Sequence, residues 1–290
     1  MAKKLPVLQI DQFNEKNRGS FFYANTLEEH LKKHHIVHVP HKHDFFLVVM
    51  FTHGSGIHTI DFAKYKIKPG SVFLLTPGQM HDWKLSDDCC GYVFFHTREF
   101  YNLNFTAKKV EDYLFFSSTN QLPVIYLRQT STHLIETRFE EILHEFNSGK
   151  LLKMEKLLAL VDLLYIDLIR NYKTLRFFDS KAGSYMDKFK KLERLVDLNY
   201  LEIKSPGVYA SKMNMTEKHL NRICKTCVNK TTSELISDRV VLEAKRLMVQ
   251  TKNPISAIAE QLGFDDLAYF SRVFKKKTGK SPTHYLKSLH

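Results

Sequence analysis

The feature that most constrains this chain is an internal repeat near its C-terminus. Residues 220–225 (LNRICK) and 270–275 (FSRVFK) match in residue type fifty positions apart. Each copy then reaches a residue that tolerates the left-handed backbone conformation that ends many helices, Asn229 in the first and Gly279 in the second. The spacing therefore predicts one helical unit that occurs twice.

The first copy has the parts of a helix-turn-helix motif. Pro206 opens a short helix, Asn214 begins a turn, and Thr216 is placed to cap a second helix. Four residues of the second helix recur at the spacing of one buried face: Leu220, Ile223, Cys224 and Cys227. The two cysteines form a C-x-x-C pair, but their apolar face and the lack of a second pair favour core packing over a metal or redox site.

The second copy has the same parts. A short helix follows Pro254, Gly263 supplies the turn, and Asp265 or Asp266 caps a second helix. The residues of that helix predicted to face inward are Phe270, Val273 and Phe274. Two such motifs in register are a far more specific signal than one.

One helix is predicted to connect the two copies. Thr231 and Glu234 have the spacing of a capping box, and the pattern continues to about Gln250. A helix of about twenty residues spans roughly 30 Å, close to the ~34 Å between successive major-groove faces on one side of B-DNA. This length favours double-stranded DNA as the partner.

The outward residues of the second helix in each copy are the candidate DNA contacts. In the first copy they are Thr216, Lys218, His219, Asn221, Arg222 and Lys225, and in the second Ala268, Tyr269, Ser271, Arg272, Lys275 and Lys276. Arg, Asn and Lys can bond to base edges, whereas Thr216 and the lysines near the helix ends suit phosphates. Arg222 and Arg272 have an alternative role, since either can brace its motif through a salt bridge.

The charge distribution agrees with a polyanionic partner. Residues 181–290 carry 21 Lys and Arg against 11 Asp and Glu, whereas residues 1–180 carry 22 against 20. Nearly all of the net charge of +12 therefore lies in the region that contains the repeat. A basic surface that is merely solvated is the alternative interpretation of charge alone.

The N-terminal part has a different pattern. Residues 36–97 alternate short apolar runs with Gly and Pro, which is typical of an antiparallel barrel or sandwich. A helix ending near Gly149 and a second helix over 151–172 follow. The second helix is apolar around much of its circumference, so one face is predicted to pack on the barrel and another on a second subunit; burial wholly within the monomer is the alternative.

Cysteine spacing and hydropathy predict the cellular compartment of the protein. Cys89 and Cys90 are adjacent, and no spacing in the chain suggests a disulfide framework, so a reducing compartment is expected. The N-terminal residues hold too few apolar side chains for a signal peptide, and no segment is predicted to span a membrane. A cytoplasmic location without a membrane partner is expected.

Several segments carry a family resemblance. Residues 244–247 (AKRL), 255–264 (ISAIAEQLGF), 269–276 (YFSRVFKK) and 279–282 (GKSP) resemble the DNA-binding signature of the AraC/XylS family of bacterial transcription regulators. Residues 41–45 (HKHDF), 69–70 (PG) and 77–81 (PGQMH) are similar, more loosely, to the cupin-type sensor domain of that family.

The resemblance implies an α+β fold of two domains. A cupin-like β-barrel with dimerisation helices at its C-terminal end would precede an all-α domain of two helix-turn-helix units joined by a long helix. The expected boundaries are 1–130 for the barrel, 131–173 for the dimerisation helices, 174–185 for a linker and 186–290 for the DNA-binding domain. The resemblance also implies a homodimeric activator that binds promoter DNA, RNA polymerase and a small-molecule effector.

The candidate effector site lies in the predicted barrel. His41 and His43 would share one face of a strand, and His81 could meet them across the barrel. Imidazoles suit a transition metal, but Leu47 and Val48 stand where cupin metalloenzymes place a carboxylate, so ligand-pocket or polar-core roles are favoured and no metal is expected. The further pocket candidates are Phe45, His58, Trp83, Tyr92 and Phe95.

The sequence is also compatible with two other functions. One is a metal-dependent cupin enzyme with a DNA-binding tail, and the other is an architectural protein that binds DNA without sequence preference. The sequence contains no nucleophile elbow, phosphate-binding glycine loop or dinucleotide motif, so no enzyme activity and no cofactor are expected.

Overall fold

The computed structural model describes residues 6–13, 21–34, 39–102, 109–116, 122–172, 180–251 and 253–288. These residues form two compact units, one within residues 6–172 and one from residue 180 onward. The first unit combines strands and helices, and the described part of the second is helical. The predicted α+β class is confirmed. Within the described ranges, no helix combines the length and hydropathy needed to span a bilayer.

The N-terminal unit is built around antiparallel sheets. The strands are β1 (Val7–Leu8), β2 (Phe22–Thr26), β3 (Lys42–His43), β4 (Phe46–His53), β5 (Gly56–Ile60), β6 (Ala63–Ile67), β7 (Ser71–Leu75), β8 (His81–Leu85), β9 (Cys90–His96) and β10 (Val124–Tyr126). The helices are α1 (Leu27–Lys33), α2 (Arg98–Asn102), α3 (Gln129–Phe146) and α4 (Lys153–Asn171).

Two sheets enclose the core of this unit. One has the strand order β10-β7-β4-β9-β2 and the other β6-β5-β8, and their pairings are antiparallel, while β1 pairs with β3 in parallel. One hydrophobic cluster contains Phe51 and Phe73 of the larger sheet together with Ile60 and Trp83 of the smaller one. The sheets therefore pack face to face, as expected for a cupin-like barrel.

The larger sheet is covered on both faces. Strand β4 is buried from Phe46 to Phe51 without alternation, because its second face packs against helices rather than water. The Phe94 ring of β9 lies 5.5 Å from the Phe139 ring of α3, and the Tyr165 hydroxyl of α4 forms a 2.6 Å hydrogen bond with His96 Nε2 of β9. Helices α3 and α4 thus form the third layer.

Some local features differ from the sequence prediction. The strand predicted to reach Phe62 ends at Ile60, because Asp61 and Phe62 take positive φ angles of 45° and 77° in the hairpin turn to β6. Helix α3 ends at Phe146 rather than near Gly149. Strand β8 was not predicted because its sequence, HDWKL, is largely polar, and helices α1 and α2 were not predicted because they are too short to show a clear period.

The C-terminal unit contains the predicted repeat. Its helices are α5 (Ser180–Asn199), α6 (Pro206–Lys212), α7 (Glu217–Val228), α8 (Thr232–Gln250), α9 (Ile255–Gln261), α10 (Leu267–Thr278) and α11 (Pro282–Lys287). Helices α6 and α7 form the first helix-turn-helix, α9 and α10 the second, and α8 joins them. The connecting helix was predicted over nearly the same residues.

Capping and burial follow the sequence prediction closely. Thr231 and Glu234 form the capping box of α8, and Asp266 rather than Asp265 caps α10. The four residues predicted to face inward on α7 are buried: Leu220, Ile223, Cys224 and Cys227. In α10 Phe270 and Phe274 are buried, whereas Val273 is only half-buried.

The turn of the second motif depends on Gly263. Its φ angle is +75°, and a Cβ atom there would lie 1.8 Å from the carbonyl oxygen of Leu201. Only glycine allows the backbone to approach this closely. In the first motif Asn214, with a φ angle of 54°, takes the left-handed conformation at the corresponding turn.

The segment predicted to be a linker contains the start of a helix. Helix α5 begins at Ser180, so residues 180–185 of the predicted linker 174–185 are helical rather than irregular, and residues 174–179 lie outside the described residues. The prediction placed the start of this helix later because its apolar period begins only at Met186.

Candidate nucleic-acid interface and interior site

Helix α7 presents a polar face held in place by its cap. Thr216 Oγ1 accepts a hydrogen bond of 3.2 Å from the backbone N–H of His219, which fixes the first turn. Lys218, Arg222 and Lys225 are exposed beside the buried stripe, and His219 is half-buried. The first copy therefore places its predicted basic contacts on one side of the helix.

Arg222 is braced by two aromatic rings. Its Nη2 lies 2.7 Å from His219 Nδ1, and its guanidinium carbon lies 5.9 Å from the centre of the Tyr185 ring. No carboxylate of the described residues pairs with this arginine, so its charge is left for an anion.

Asn221 contributes to packing between helices. Its Oδ1 accepts a 2.9 Å hydrogen bond from the backbone N–H of Thr232, in the first turn of α8. The side chain is half-buried, and its carbonyl oxygen is already used. Because an adenine contact needs both ends of the amide, this bond competes with the predicted base reading.

Sequence reasoning missed two polar residues on the same face. Glu217 and Thr226 line an open groove along α7 together with Lys218, Asn221, Arg222 and Lys225. Helical spacing alone places Glu217 four residues before Asn221, which would have identified it. A carboxylate here can accept a hydrogen bond from the cytosine amino group.

Helix α10 presents the second predicted set. Ala268, Tyr269, Arg272, Lys275 and Lys276 are exposed, and Ser271 is half-buried. Arg272 Nη2 lies 3.9 Å from Asp266 Oδ2, but both side chains are more than 60% exposed, so this pair is weak.

Lys277, the next lysine of α10, already forms an ion pair. Lys277 Nζ lies 2.7 Å from Asp238 Oδ1 of α8, and its side chain is only 19% exposed. Lys277 therefore ties α10 to α8 rather than offering its charge outward.

The C-x-x-C pair has the predicted packing role. Cys224 and Cys227 are free and buried on α7. Burial raises the pKa of the Cys224 thiol to about 11 and that of Cys227 to about 12, so both are protonated at neutral pH. Neither is poised as a redox group.

The interior of the N-terminal unit contains a cluster of four buried histidines. His41, His43, His58 and His81 are each at most 2% exposed. His81 is central, because its Nε2 lies 3.2 Å from His43 Nε2 and its Nδ1 lies 2.9 Å from His58 Nε2. The His41 ring centre lies 4.3 Å from that of His81.

Burial keeps these rings neutral. It lowers the pKa of His43 and of His58 to about 3 and the pKa of His81 well below its usual value, and the neighbouring histidines lower these values further. Burial also lowers the pKa of His41, although its hydrogen bond to the carbonyl of Val39 opposes the shift.

Neutrality and hydrogen bonding together fix the tautomers. His43 Nδ1–H donates to the carbonyl of Phe45 at 2.9 Å, because a carbonyl oxygen can only accept. His43 Nε2 then accepts from His81 Nε2–H, and His81 Nδ1 accepts from His58 Nε2–H. The chain of hydrogen bonds ends at His58 Nδ1, which carries a lone pair.

Two polar atoms at the end of this chain are unsatisfied. Among the described residues, neither His58 Nδ1 nor Trp83 Nε1 has a hydrogen-bond partner, although both are buried. The two rings are adjacent, with centres 5.2 Å apart. The site therefore offers one acceptor and one donor side by side, next to the ring of Phe73.

The predicted effector residues largely come together. Phe45 stacks on His43 at 4.6 Å and on Phe95 at 4.5 Å between ring centres. Seven of the predicted residues share this interior: His41, His43, Phe45, His58, His81, Trp83 and Phe95. The pattern missed His30 of α1, which is buried beside it and bonds to the hydroxyl of Tyr23 at 3.0 Å.

Tyr92 does not belong to this site, so its prediction as a pocket wall was wrong. Side chains alternate along β9, and Val93 and Phe95 take the core face. Tyr92 faces the helical layer, where its hydroxyl donates to Glu140 Oε1 of α3 at 3.0 Å.

The histidines pair with one another rather than around a common point. Within the described residues, no group of three or more His, Cys, Asp or Glu side chains is arranged to hold a metal ion. Leu47 and Val48, where a carboxylate would be expected for a cupin metal site, are buried core residues of β4.

Two helix-turn-helix motifs with basic outer faces, in one chain with a separate β domain, define the class of protein: a DNA-binding transcription regulator. Comparison with known families agrees. Residues 27–161 match the AraC-like ligand binding domain, and residues 209–288 match a helix-turn-helix domain. The chain belongs to the AraC family of transcription regulators.

Individual relatives share the whole length of the chain. The HTH-type transcriptional activators RhaR of Salmonella agona and Salmonella typhimurium are each 22% identical over 290 residues, which cover 98% of this chain and 97% of the relative. Among solved structures, ToxT from Vibrio cholerae is similar with 15% identity and a TM-score of 0.43, covering 92% of this chain and 98% of ToxT. The AraC-like transcriptional activator CuxR is similar with 14% identity and a TM-score of 0.33, covering 69% of this chain and 67% of CuxR.

Proposed function

We propose that this regulator activates transcription by binding promoter DNA through α7 and α10, under the control of a small molecule bound between its two sheets. The observation that carries the proposal is the repeat: two exposed basic helix faces in register, both on helices that pack against α8. The 19 residues of α8 span about 28 Å, near the repeat of the major groove.

The unsatisfied pair in the sensor indicates the kind of effector. A ligand that satisfies both His58 Nδ1 and Trp83 Nε1 must donate one hydrogen bond and accept another. Hydroxyl and amide groups do both. A carboxylate does not, because it only accepts and would face the lone pair of His58. We therefore propose an uncharged effector with a hydroxyl or amide group, surrounded by aromatic rings.

Strand β9 connects this site to the helical layer. Phe95 faces the interior, where it stacks on Phe45, and the next residue, His96, bonds to Tyr165 of α4. A ligand that shifts β9 would act directly on α4. The size of the response is limited by the difference between the ligand's affinities for the two positions of β9, before and after the shift.

Helix α4 is the proposed dimer contact. Its buried face is complete within the unit, yet Leu163 is 39% exposed and Ala159 is exposed. With the half-buried Ile166, these residues recur at spacings of four and three, which is the spacing of a coiled-coil seam. A second copy of α4 would cover this stripe and form a homodimer.

The sign of regulation and the remaining partner rest on the relatives. RhaR is named a transcriptional activator, which supports activation and a contact with RNA polymerase at the promoter. The proposal includes no catalytic activity, since the interior histidines pair with one another and the relatives are regulators. A protein that binds promoter DNA would work in the cytoplasm of a bacterium.

Selection of duplexes from a random pool tests the DNA-binding part. The full chain should enrich a defined sequence, and binding to it should survive competition by random duplex with a preference of about 10³ or more. An architectural binder would enrich nothing, and this result would refute the proposal.

The single tryptophan tests the effector part. Trp83 is the only tryptophan of the chain, so its fluorescence reports on the interior of the sensor. Screening polar uncharged compounds against the full chain should find one that changes this fluorescence and alters DNA affinity. His58→Leu should abolish the response, whereas the exposed control His133→Ala should keep it. A ligand that still acts on His58→Leu would exclude this site.

A further inference from the structure

The two reading helices differ at the positions that enter the groove first. With the fifty-residue offset, Glu217 corresponds to Leu267, Lys218 to Ala268 and His219 to Tyr269. The arginines Arg222 and Arg272 correspond as well, and so do Lys225 and Lys275. The copies therefore share their basic positions, while the first turn is polar in α7 and apolar in α10.

The apolar residues of α10 are not part of its core. Leu267 is 43% exposed and Tyr269 49% exposed, and Ala268 is exposed as well, whereas Phe270 is fully buried. The Tyr269 ring lies 5.8 Å from the ring of the buried Phe264, but about half of its surface and nearly half of that of Leu267 stay in water, on different sides of the first turn of α10. A contact outside the unit that removes this apolar surface from water would give the exposure a reason.

The position of these residues in the motif gives that reason. The N-terminal residues of a recognition helix are the ones that meet base edges in the major groove. The thymine methyl is the apolar group that the unmodified base pairs present there, and Ala and aromatic side chains are suitable contacts for it. The polar first turn of α7 instead offers a donor and an acceptor, Lys218 and Glu217.

We propose that the two units read by different chemistry: α10 recognises thymine methyl groups through Leu267, Ala268 and Tyr269, and α7 recognises base edges by hydrogen bonds. This proposal rests on the proposed function, and it describes the base composition of one half of the DNA site that the protein binds. The half of the DNA site that contacts α10 is rich in thymine at the contacted positions. The half that contacts α7 is recognised without thymine methyl groups.

Charge favours DNA over a protein as the occupant of this apolar turn. Arg272, Lys275 and Lys276 are exposed within the next two turns of the same helix. A partner protein with an apolar surface would have to desolvate these cations or supply carboxylates for them, whereas DNA supplies phosphates beside the methyl groups.

Uracil substitution tests the proposal. A duplex selected by the full chain is resynthesised with deoxyuridine in place of thymidine, one half of the site at a time, which removes the methyl groups and keeps every hydrogen bond. Each lost contact should weaken binding about three- to fourfold, from the burial of one methyl group. Substitution in the other half should change binding by less than about twofold.

A variant pair assigns the effect to α10. L267E/A268K/Y269H replaces the three residues with their counterparts from α7, and its helix content is checked by circular dichroism. In this variant the uracil effect should disappear. The matched control Lys218→Ala in α7 should weaken binding overall and keep the uracil effect in full.

Several results would overturn the inference. If uracil substitution has no effect in either half, or persists in the triple variant, α10 does not read methyl groups. If the triple variant binds the selected duplex normally but loses activation by RNA polymerase in vitro, the apolar turn is a protein contact. If no sequence is enriched over random DNA, the proposed function itself fails, which is a separate and distinguishable outcome.

Discussion

The two units keep their ionisable side chains in opposite environments. In the sensor unit a cluster of four histidines is buried and neutral, and three of them, His43, His58 and His81, form hydrogen bonds with one another. In the DNA-binding unit all the lysines and arginines of α7 and α10 except Lys277 are exposed. The difference separates two kinds of recognition: the sensor can bind through directed hydrogen bonds in a dry interior, and the second unit through charges directed at a polyanion.

The largest effect expected from this contrast is the pH dependence of the stability of the sensor unit. The pKa values of His43 and His58 are lowered to about 3 and that of His81 is also strongly lowered, while in the unfolded chain histidine titrates near 6.5. Below pH 6.5 the unfolded chain therefore takes up protons that the folded unit does not. Full stability is present above about pH 6.5 and is lost as the pH falls toward 3.

Below pH 6.5 the slope is expected to approach about 1.4 kcal/mol per pH unit for each histidine, or about 4 kcal/mol per pH unit for the three. Denaturant unfolding of the full chain, followed by Trp83 fluorescence between pH 7.5 and 5, measures it. His58→Gln retains an N–H donor for His81 and does not titrate, so its slope should be smaller by about 1.4 kcal/mol per pH unit. Equal slopes for the two proteins would show that His58 titrates normally in the folded state.

A second test removes the centre of the histidine chain. His81→Ala leaves the acceptor of His43 and the donor of His58 unpaired and opens a cavity, so the free energy of unfolding at pH 7.5 should fall by about 3 kcal/mol. His133→Ala, on the exposed face of α3, is the control and should change it by less than about 0.5 kcal/mol. An equally small loss for His81→Ala would mean that water replaces the ring without cost.

The same contrast explains what could be predicted from the sequence. In the DNA-binding unit, the helical period assigns Leu220 and Phe270 to the core and Arg222 and Arg272 to the surface, and the cap of α8 can be identified at Thr231. Local rules suffice there, because each motif is short and its contacts are near in sequence. Asn221 is the exception, since its partner Thr232 belongs to the next helix.

In the sensor unit the candidate effector-binding residues could be named from the sequence, but their positions in space could not be predicted. Strand alternation suggested that His41 and His43 share a face and that His81 is near, yet the central position of His81 depends on β3, β5 and β8 meeting in space. Tyr92 was misplaced for the same reason: both sides of the larger sheet are covered, so an apolar neighbourhood in the sequence does not reveal which face is the interior. The unpaired atoms of His58 and Trp83 have no signature in the sequence at all.

A third test concerns specificity at the exposed face. Arg272→Ala should lower the preference for the selected duplex over random DNA by about 1–3 kcal/mol if this arginine reads a base. Competition binding with the full chain measures the difference, and Lys64→Ala in the sensor, which removes one exposed positive charge, should leave the preference unchanged. An equal loss on both duplexes would instead assign Arg272 to the phosphates.

The smallest effect distinguishes two lysines of similar charge. Lys225 is exposed on α7, whereas Lys277 is held 2.7 Å from Asp238. Each phosphate contact contributes about 0.9 to the slope of log affinity against log salt concentration, because it releases a condensed counterion. Lys225→Ala should therefore reduce the magnitude of this slope by about 0.9, while Lys277→Ala, which removes an ammonium group held against Asp238 within the protein, should leave it unchanged. Titrations of the selected duplex between 50 and 200 mM salt resolve the two, and equal slopes for both variants would mean that exposure in the free protein does not decide which cations meet the DNA.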